Sequence, residues 1–128
     1  MIVDTTFLID MEREIIQKAP GPAMEFLAHH AEQTLRISVI TYGELAEGYD
    51  DPAAQELEEL VAPFGIVEVT RSIARRYATI SSALRISGDR WGDNDLWIGA
   101  TALDADEPLL TRDRDRFSRI TCLTVLGY

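Results

Sequence analysis

Short apolar runs alternate with longer stretches of helical periodicity along the whole of this chain. The apolar runs predict strands at residues 2–3, 35–39, 66–69, 108–110 and 122–126. Between them, apolar side chains recur every three or four residues, which predicts helices at 5–18, 22–31, 42–49, 52–62, 70–88, 95–103 and 114–119. Strands that alternate with helices pair in parallel, so the pattern predicts an α/β layered fold with a mainly parallel sheet.

The size and composition of the chain suit one globular domain. It has 128 residues, of which 46% are hydrophobic, enough for one core but not for two. The lone cysteine, Cys122, excludes an internal disulfide, and no Cys and His pattern indicates zinc. No apolar stretch reaches the roughly 18 residues of a membrane span. The N-terminus also lacks the basic segment that is typical of a secretory signal. We therefore expect a cytoplasmic protein.

The charge balance weakens the argument for a nucleic-acid partner without excluding such a partner. Twenty-two acids against 12 bases leave a net charge of −10, which argues against a sequence-independent DNA coat protein. Eleven of the 12 bases are Arg, however, and only Lys18 is Lys. Because Arg binds phosphate through two nitrogens at once, a few well-placed arginines can hold a nucleic acid on an acidic protein.

Four carboxylates stand where a short apolar run ends or a helix begins: Asp4, Glu44, Asp95 and Asp113. In a parallel sheet the carboxyl ends of the strands meet at one edge, where ligands bind, so we expect these acids to converge there. Clustered carboxylates repel one another unless a cation lies between them. Oxygen ligands suit hard divalent ions, and the set therefore indicates a Mg²⁺ or Mn²⁺ site.

Each of these acids also has an ordinary structural use. An Asp that precedes a helix is a favoured N-cap worth roughly 1 kcal/mol, and this applies to Asp4, Asp95 and Asp113 taken singly. Glu44 stands three residues after Thr41 and would form a capping box with it. Local chemistry alone leaves capping and metal binding open.

The residues around the acids narrow this choice. The segments are IVDTT at residues 2–6, SVITYGEL at 38–45, NDLWIGATA at 94–102 and LTRD at 110–113. In order and context they resemble the PIN-domain ribonucleases, and specifically the VapC-type toxins of bacterial toxin–antitoxin pairs. Each motif is short, and the specificity of the resemblance comes from finding all four in order between residue 2 and about residue 120.

The resemblance implies a three-layer α/β/α PIN-like domain over residues 1–128, with a central sheet of four or five mainly parallel strands. On the family's pattern, Asp4, Glu44, Asp95 and Asp113 are both catalytic and metal-binding. The reaction implied is hydrolysis of RNA phosphodiester bonds with one or two Mg²⁺ or Mn²⁺ ions, which lower the pKa of bound water and stabilise the leaving oxygen.

Four further residues are candidates for auxiliary roles: Thr6, Asp93, Thr111 and Asp115. The hydroxyls of Thr6 and Thr111 can hydrogen-bond the acids and orient them. Asp93 stands two residues before Asp95 and can share its role, and Asp115 stands in a similar relation to Asp113.

Arginines interleave with the last acids at positions 112, 114, 116 and 119. They either contact RNA phosphates or form salt bridges on an exposed helix, and Arg112 and Arg114 are the stronger candidates for RNA contact. His29 and His30 are adjacent on a helix and do not share a face, so we expect no metal there. Trp91 is expected at the surface.

The resemblance also implies partners. They are an RNA substrate, a cognate antitoxin protein that covers the active site, and a second copy of the chain in a homodimer. Apolar residues of the first two helices, including Phe7, Ile15, Phe26 and Leu27, form either a groove for a partner helix or ordinary core.

Two other classes of protein compete with a nuclease. A receiver domain or a haloacid-dehalogenase-like phosphatase also has an acidic Mg²⁺ pocket, but both need a Lys near the phosphoryl group, and Lys18 follows no strand. A non-catalytic PIN-like scaffold for RNA or protein is the other alternative. Metal-dependent RNA cleavage separates the nuclease from the scaffold, and an acyl phosphate would identify the first class.

Overall fold

The computed structural model describes residues 1–128, which form five strands and seven helices. The strands are β1 (Ile2–Val3), β2 (Arg36–Ser38), β3 (Gly65–Val67), β4 (Leu109–Leu110) and β5 (Val125–Leu126). The helices are α1 (Thr5–Gln17), α2 (Pro22–His29), α3 (Val39–Glu47), α4 (Gln55–Val61), α5 (Arg71–Ile86), α6 (Asp93–Ala105) and α7 (Arg114–Phe117). None of the helices is long and apolar enough to cross a membrane.

All five strands are parallel and lie in the order β3-β2-β1-β4-β5. In the central strand, Ile2 pairs with Arg36 on one side and with Leu109 on the other. Both residues of β1 are fully buried, as a parallel strand covered by helices on both faces requires. The predicted parallel α/β fold is confirmed.

Successive residues of β1 point to opposite faces of the sheet and enter two hydrophobic cores, one on each face, where the composition predicted one. Val3 belongs to a core formed with helices α1 to α4, in which Phe7 and Leu57 are fully buried. Ile2 belongs to a second core formed with α5, α6 and α7, in which Ile73 and Leu96 are almost fully buried. The sheet with a layer of helices on each face gives the predicted three layers.

The strand β2 ends earlier than its apolar alternation predicts. Val39 is already helical, and the Ser38 hydroxyl oxygen accepts the Ile40 N–H at 3.1 Å as the N-cap of α3. The prediction of Thr41 as this N-cap is wrong, because Thr41 is buried inside α3, and the capping box with Glu44 fails with it. Before α4, whose N-cap is Ala54, the side chain of Asp51 accepts the Ala53 N–H at 2.9 Å and closes a turn.

The ends of β1, β2 and β4 place three connections at one edge of the sheet. Asp4 follows β1, α3 follows β2, and Thr111 follows β4. The Asp4 N–H donates to the carbonyl of Leu110 at 3.0 Å, which joins two of these connections directly. This edge carries the acidic residues described next.

Candidate active site

Asp4 lies directly after the central strand and is only 3% exposed. Its side chain is the N-cap of α1, where Oδ1 accepts the Phe7 N–H at 3.2 Å. The same oxygen accepts from the Thr6 hydroxyl at 2.6 Å, and Oδ2 accepts from the Thr111 hydroxyl at 2.5 Å. Asp4 is therefore a helix cap and a fully oriented carboxylate at once, and no cationic side chain contacts it.

The environment of Asp4 penalises its charged form. Burial raises the pKa of Asp4 above its ordinary value, and the hydrogen bonds from Thr111, Thr6 and Phe7 oppose that rise. The negative charge of Asp95 raises the pKa of Asp4 further, so these two acids lie within electrostatic reach of each other. A buried carboxylate with an acidic neighbour and no cation beside it is an environment that a positive ion would stabilise.

Asp95 and Asp113 are joined by an arginine. Arg116 donates through Nη1 to Asp95 Oδ2 at 2.7 Å, and its Nε lies 3.3 Å from Asp113 Oδ2. The hydrogen bond that Arg116 donates to Asp95 raises the pKa of Arg116. Asp95 lies in the first turn of α6, after the N-cap Gly92, so its reading as an N-cap is wrong. Asp113 does cap α7 and accepts the Arg116 N–H at 3.4 Å.

Glu44 reaches the same edge from α3. Its Oε1 accepts from the Thr5 hydroxyl at 2.7 Å, and that hydroxyl lies 3.3 Å from the hydroxyl of Thr41. Sequence reasoning did not single out Thr5, although it stands beside Asp4 in the first motif. That adjacency was the available signal, because the first residue of α1 must lie at the same edge as the acid that caps the helix.

The two alternative acids lie in different surroundings. Asp93 accepts from the Tyr77 hydroxyl at 2.9 Å and from Arg90 at 2.6 Å, and these hydrogen bonds lower the pKa of Asp93. Asp115 is exposed. By contrast, the Asp113 N–H donates to the hydroxyl of Thr111 at 3.0 Å, which connects Asp113 to the segment that orients Asp4.

An ion pair between a buried acid, Asp10, and an exposed arginine, Arg112, holds the neighbouring segment against α1. Asp10 is 4% exposed and accepts from Arg112 Nη1 at 2.8 and 3.0 Å, from Arg13 at 2.6 Å and from the Tyr128 hydroxyl at 2.7 Å. Burial and the bond to Asp10 raise the pKa of the Tyr128 phenol. Both Arg112 and Arg114 are exposed, but Arg112 pairs with Asp10 and so anchors the chain just before Asp113, whereas Arg114 pairs with no acid.

Trp91, which was expected at the surface, is partly buried. Its ring packs edge to face on Phe117 with centroids 5.5 Å apart, and the guanidinium carbon of Arg116 lies 5.7 Å from the Trp91 ring centroid. The indole Nε1 is buried without a hydrogen-bond partner. Trp91 is therefore partly exposed, as a surface position predicts, while its indole nitrogen is enclosed.

The remaining predicted or excluded ligands lie away from this edge. His29 and His30 each place Nδ1 at 2.8 Å from a backbone carbonyl one helical turn earlier, which agrees with a structural role. Lys18 is the C-cap of α1, at the opposite end of that helix from Asp4. The acidic edge accordingly has no Lys of the kind that a receiver domain or phosphatase needs.

The acids fit a hard divalent ion by the chemistry of their donors, which are carboxylate and hydroxyl oxygens. Asp4 also fits by its environment, because its buried negative charge has no cation beside it. No group of three or more acidic, His or Cys side chains is arranged as a ready set of ligands. Asp95 and Asp113 turn toward Arg116, and Glu44 turns toward Thr5.

Residues 1–121 match the model of the PIN domain family, and the chain therefore belongs to that family. The Ribonuclease VapC1 of Haemophilus influenzae strain R2866 is 32% identical to it over 95 residues, or 70% of each protein.

Solved structures give the same result for the fold. VapBC-1 from nontypeable Haemophilus influenzae superposes with a TM-score of 0.82 at 26% identity, over 98% of this chain and 96% of the other. A toxin–antitoxin complex from Klebsiella pneumoniae gives a TM-score of 0.73 at 25% identity, over 98% of this chain and 94% of the other. The family that the four motifs predicted is confirmed.

Proposed function

We propose that this protein is a metal-dependent endoribonuclease that hydrolyses phosphodiester bonds and acts as the toxin of a toxin–antitoxin pair. The observation that carries the proposal is Asp4, a buried carboxylate beyond the central strand with Asp95 nearby and no cation beside it. The relatives support the same reading, because one is named a ribonuclease and the similar structures are VapBC and toxin–antitoxin complexes.

At the carboxyl edge of the sheet, the acids would bind the metal ion and the threonine hydroxyls would orient the acids. Asp4 and Asp95 would hold a Mg²⁺ or Mn²⁺ ion, and Glu44 and Asp113 would complete the site directly or through water. When bound, such an ion lowers the pKa of the attacking water and stabilises charge on the leaving oxygen.

The hydroxyls of Thr6 and Thr111 fix the direction of both Asp4 oxygens, so that no rotation of the carboxylate is needed on binding. Thr5 does the same for Glu44. Hydrolysis by water leaves a 5′-phosphate and does not use the RNA 2′-hydroxyl. The exposed Arg114 is the better placed of the two predicted RNA contacts, since the pairing of Arg112 with Asp10 favours a supporting role for Arg112.

The proposal includes a cognate antitoxin, a homodimer and a cytoplasmic setting. On α1 and α2, Ile15 is half exposed, and Phe26 and Leu27 are partly buried. These side chains are available to a partner helix, whereas Phe7 is fully buried core.

The test uses purified protein, free of any antitoxin, incubated with total cellular RNA in Mg²⁺ or Mn²⁺. We expect discrete cleavage with 5′-phosphate ends, lost in EDTA and lost in Asp4→Asn. Asp104→Asn is the matched control, because Asp104 is an acid of α6 that bonds Ser72 away from the acidic edge, and we expect it to cleave normally.

The outcomes separate the candidate functions. Absence of cleavage with either ion, by protein whose circular dichroism shows that it is folded, would overturn the nuclease and leave a PIN-like binding scaffold. Cleavage that survives Asp4→Asn would show that the reaction belongs to another site or to a contaminant.

A further inference from the structure

Arg116 occupies a position between two of the acids that the proposed metal site needs. Its Nη1 lies 2.7 Å from Asp95 Oδ2 and its Nε lies 3.3 Å from Asp113 Oδ2. The two carboxylates belong to different elements, α6 and the N-cap of α7, and the guanidinium joins them. The guanidinium thus neutralises the same two carboxylates that a divalent ion would neutralise.

The surroundings hold Arg116 in this position. Asp113 accepts the backbone N–H of Arg116 as well as facing its side chain, so the short helix α7 delivers the guanidinium to the acids. The ring of Trp91 supports the guanidinium at 5.7 Å, and Trp91 itself packs on Phe117. The side chain of Arg116 is nevertheless 46% exposed, which leaves it room to swing toward solvent.

This bridge accounts for the open arrangement of the acids. Asp4 is oriented and has no cation, whereas Asp95 and Asp113 are already paired, and no three acids form a ligand set. Arg116 holds Asp95 Oδ2 in a charge-assisted hydrogen bond, so a divalent ion shared by Asp95 and Asp4 would lie close to the guanidinium and be repelled by its charge. Metal binding and the Arg116 bridge therefore oppose each other, because both place a positive charge beside the carboxylate of Asp95.

We propose that Arg116 is a built-in competitor of the divalent ion, which holds Asp95 and Asp113 together in the metal-free protein and is displaced when the ion binds. The inference rests on the metal site of the proposed function. Arg116 is a positioning residue here, since it acts on the acids and not on the substrate. Its presence lowers the affinity for the ion and stabilises the metal-free fold.

The experiment is a calorimetric titration of the purified chain with Mn²⁺ alone, for the wild type and for Arg116→Gln. We expect Arg116→Gln to bind Mn²⁺ about two- to fivefold more tightly, the range that loss of a partly exposed ion pair allows. Arg116→Lys keeps the charge but lacks the fork that reaches two carboxylates, and we expect it to lie between the two proteins.

The matched control is Arg119→Gln, which removes one positive charge from the next turn of the same segment. Arg119 pairs with Asp89 at 2.6 and 2.7 Å and contacts none of the four acids. Any general gain in Mn²⁺ affinity from lowering the positive charge appears equally in this variant. Equal dissociation constants for Arg116→Gln and Arg119→Gln, or weaker binding by Arg116→Gln, would overturn the proposal.

A thermal melt provides a second readout that does not depend on activity. In EDTA we expect Arg116→Gln to melt at a lower temperature than the wild type, because Asp95 and Asp113 lose their shared cation. Saturating Mn²⁺ should narrow that gap, since the ion stabilises the variant more than the wild type. A gap of the same size with and without Mn²⁺ would contradict displacement.

RNA cleavage, assayed separately, distinguishes this inference from the proposed function. Cleavage by the wild type together with unchanged Mn²⁺ affinity in Arg116→Gln would overturn the competitor alone. Tighter Mn²⁺ binding by Arg116→Gln without cleavage by the wild type would overturn the nuclease and support the competitor. Failure of every protein to bind Mn²⁺ would overturn both.

Discussion

Asp4 is an acid at a buried position. Its negative charge destabilises the folded state, but the same charge can bind a metal ion at the site. Burial raises the pKa of Asp4, which means that the folded state disfavours the ionised form. Above this raised pKa the carboxylate is ionised in both the folded and the unfolded chain, and the destabilisation is complete. It is relieved as the pH falls through the raised pKa, because the folded state then takes up the proton.

The first prediction is that Asp4→Asn separates stability from activity. We expect cleavage to fall by about 100-fold or more, since the loss of a metal ligand should exceed the loss of a supporting hydrogen bond. In EDTA at pH 7 the melting temperature should rise above that of the wild type, and the difference should shrink as acid protonates Asp4. Melts across pH 7 to 4 measure this, and a lower melting temperature for Asp4→Asn at pH 7 would contradict it.

Thr111 joins two acids through one hydroxyl, which donates to Asp4 Oδ2 and accepts the N–H of Asp113. The second prediction is that Thr111→Val lowers cleavage by about 10- to 100-fold and the free energy of unfolding by about 1–3 kcal/mol. Valine keeps the shape of the side chain, so the loss reports on the hydroxyl. Cleavage rates and urea unfolding measure the two effects.

The matched control for Thr111→Val is Thr101→Val. Thr101 is equally buried, but its hydroxyl donates only to the Trp97 carbonyl one turn earlier in α6. We expect a loss of at most about 1 kcal/mol in the free energy of unfolding and normal cleavage. Equal loss of cleavage in both variants would mean that the site is sensitive to packing in general and not to the hydroxyl of Thr111.

At the scale of the elements, α2 begins without a side-chain cap of its own, because its N-cap is Gly21. The carboxylate of Glu14 in α1 takes that role and accepts the N–H groups of Gly21, Ala23 and Met24 at 2.8 to 3.1 Å. A Cβ at position 21 would lie 2.7 Å from Glu14 Oε1, so the glycine permits the close approach. The corner between the two helices therefore depends on one buried acid.

The third prediction concerns this corner. Glu14→Ala leaves three backbone donors without an acceptor, and we expect the free energy of unfolding to fall by about 2–3 kcal/mol. Glu14→Gln retains one acceptor oxygen and should lose about half as much. Chemical denaturation of both variants gives the comparison, and equal stability of Glu14→Ala and the wild type would show that water replaces the cap.

Over the whole molecule, a net charge of −10 opposes RNA, and three of the four arginines at positions 112 to 119 already pair with acids. The fourth prediction is a weak dependence of RNA affinity on salt. About three phosphate contacts to single-stranded RNA give a slope near −2 for log affinity against log salt concentration. Fluorescence anisotropy of a labelled RNA on Asp4→Asn protein measures it at a constant Mn²⁺ concentration, and a slope steeper than about −4 would require a basic surface beyond α7.

Much of the fold was predictable because its signals are local. The two buried residues of β1 identify a central strand, and the cap at Thr70 marks the start of α5 as predicted, with its hydroxyl accepting the Ile73 N–H at 3.2 Å. Local signals gave a wrong prediction where two nearby hydroxyl residues could both serve as the N-cap of one helix. Ser38 caps α3 in place of Thr41, since the strand β2 ends one residue before its apolar alternation does.

Residue types and their spacing along the chain were enough to predict the family, a parallel α/β fold and acids at the carboxyl edge of the sheet. The contacts of each acid depend instead on tertiary packing. Three hydrogen bonds join residues that are far apart in the sequence. They link Arg116 to Asp95 over 21 positions, Thr111 to Asp4 over 107 and Arg112 to Asp10 over 102. Spacing along the chain carries no information about such contacts, which arise only when the sheet brings the ends of separate strands together.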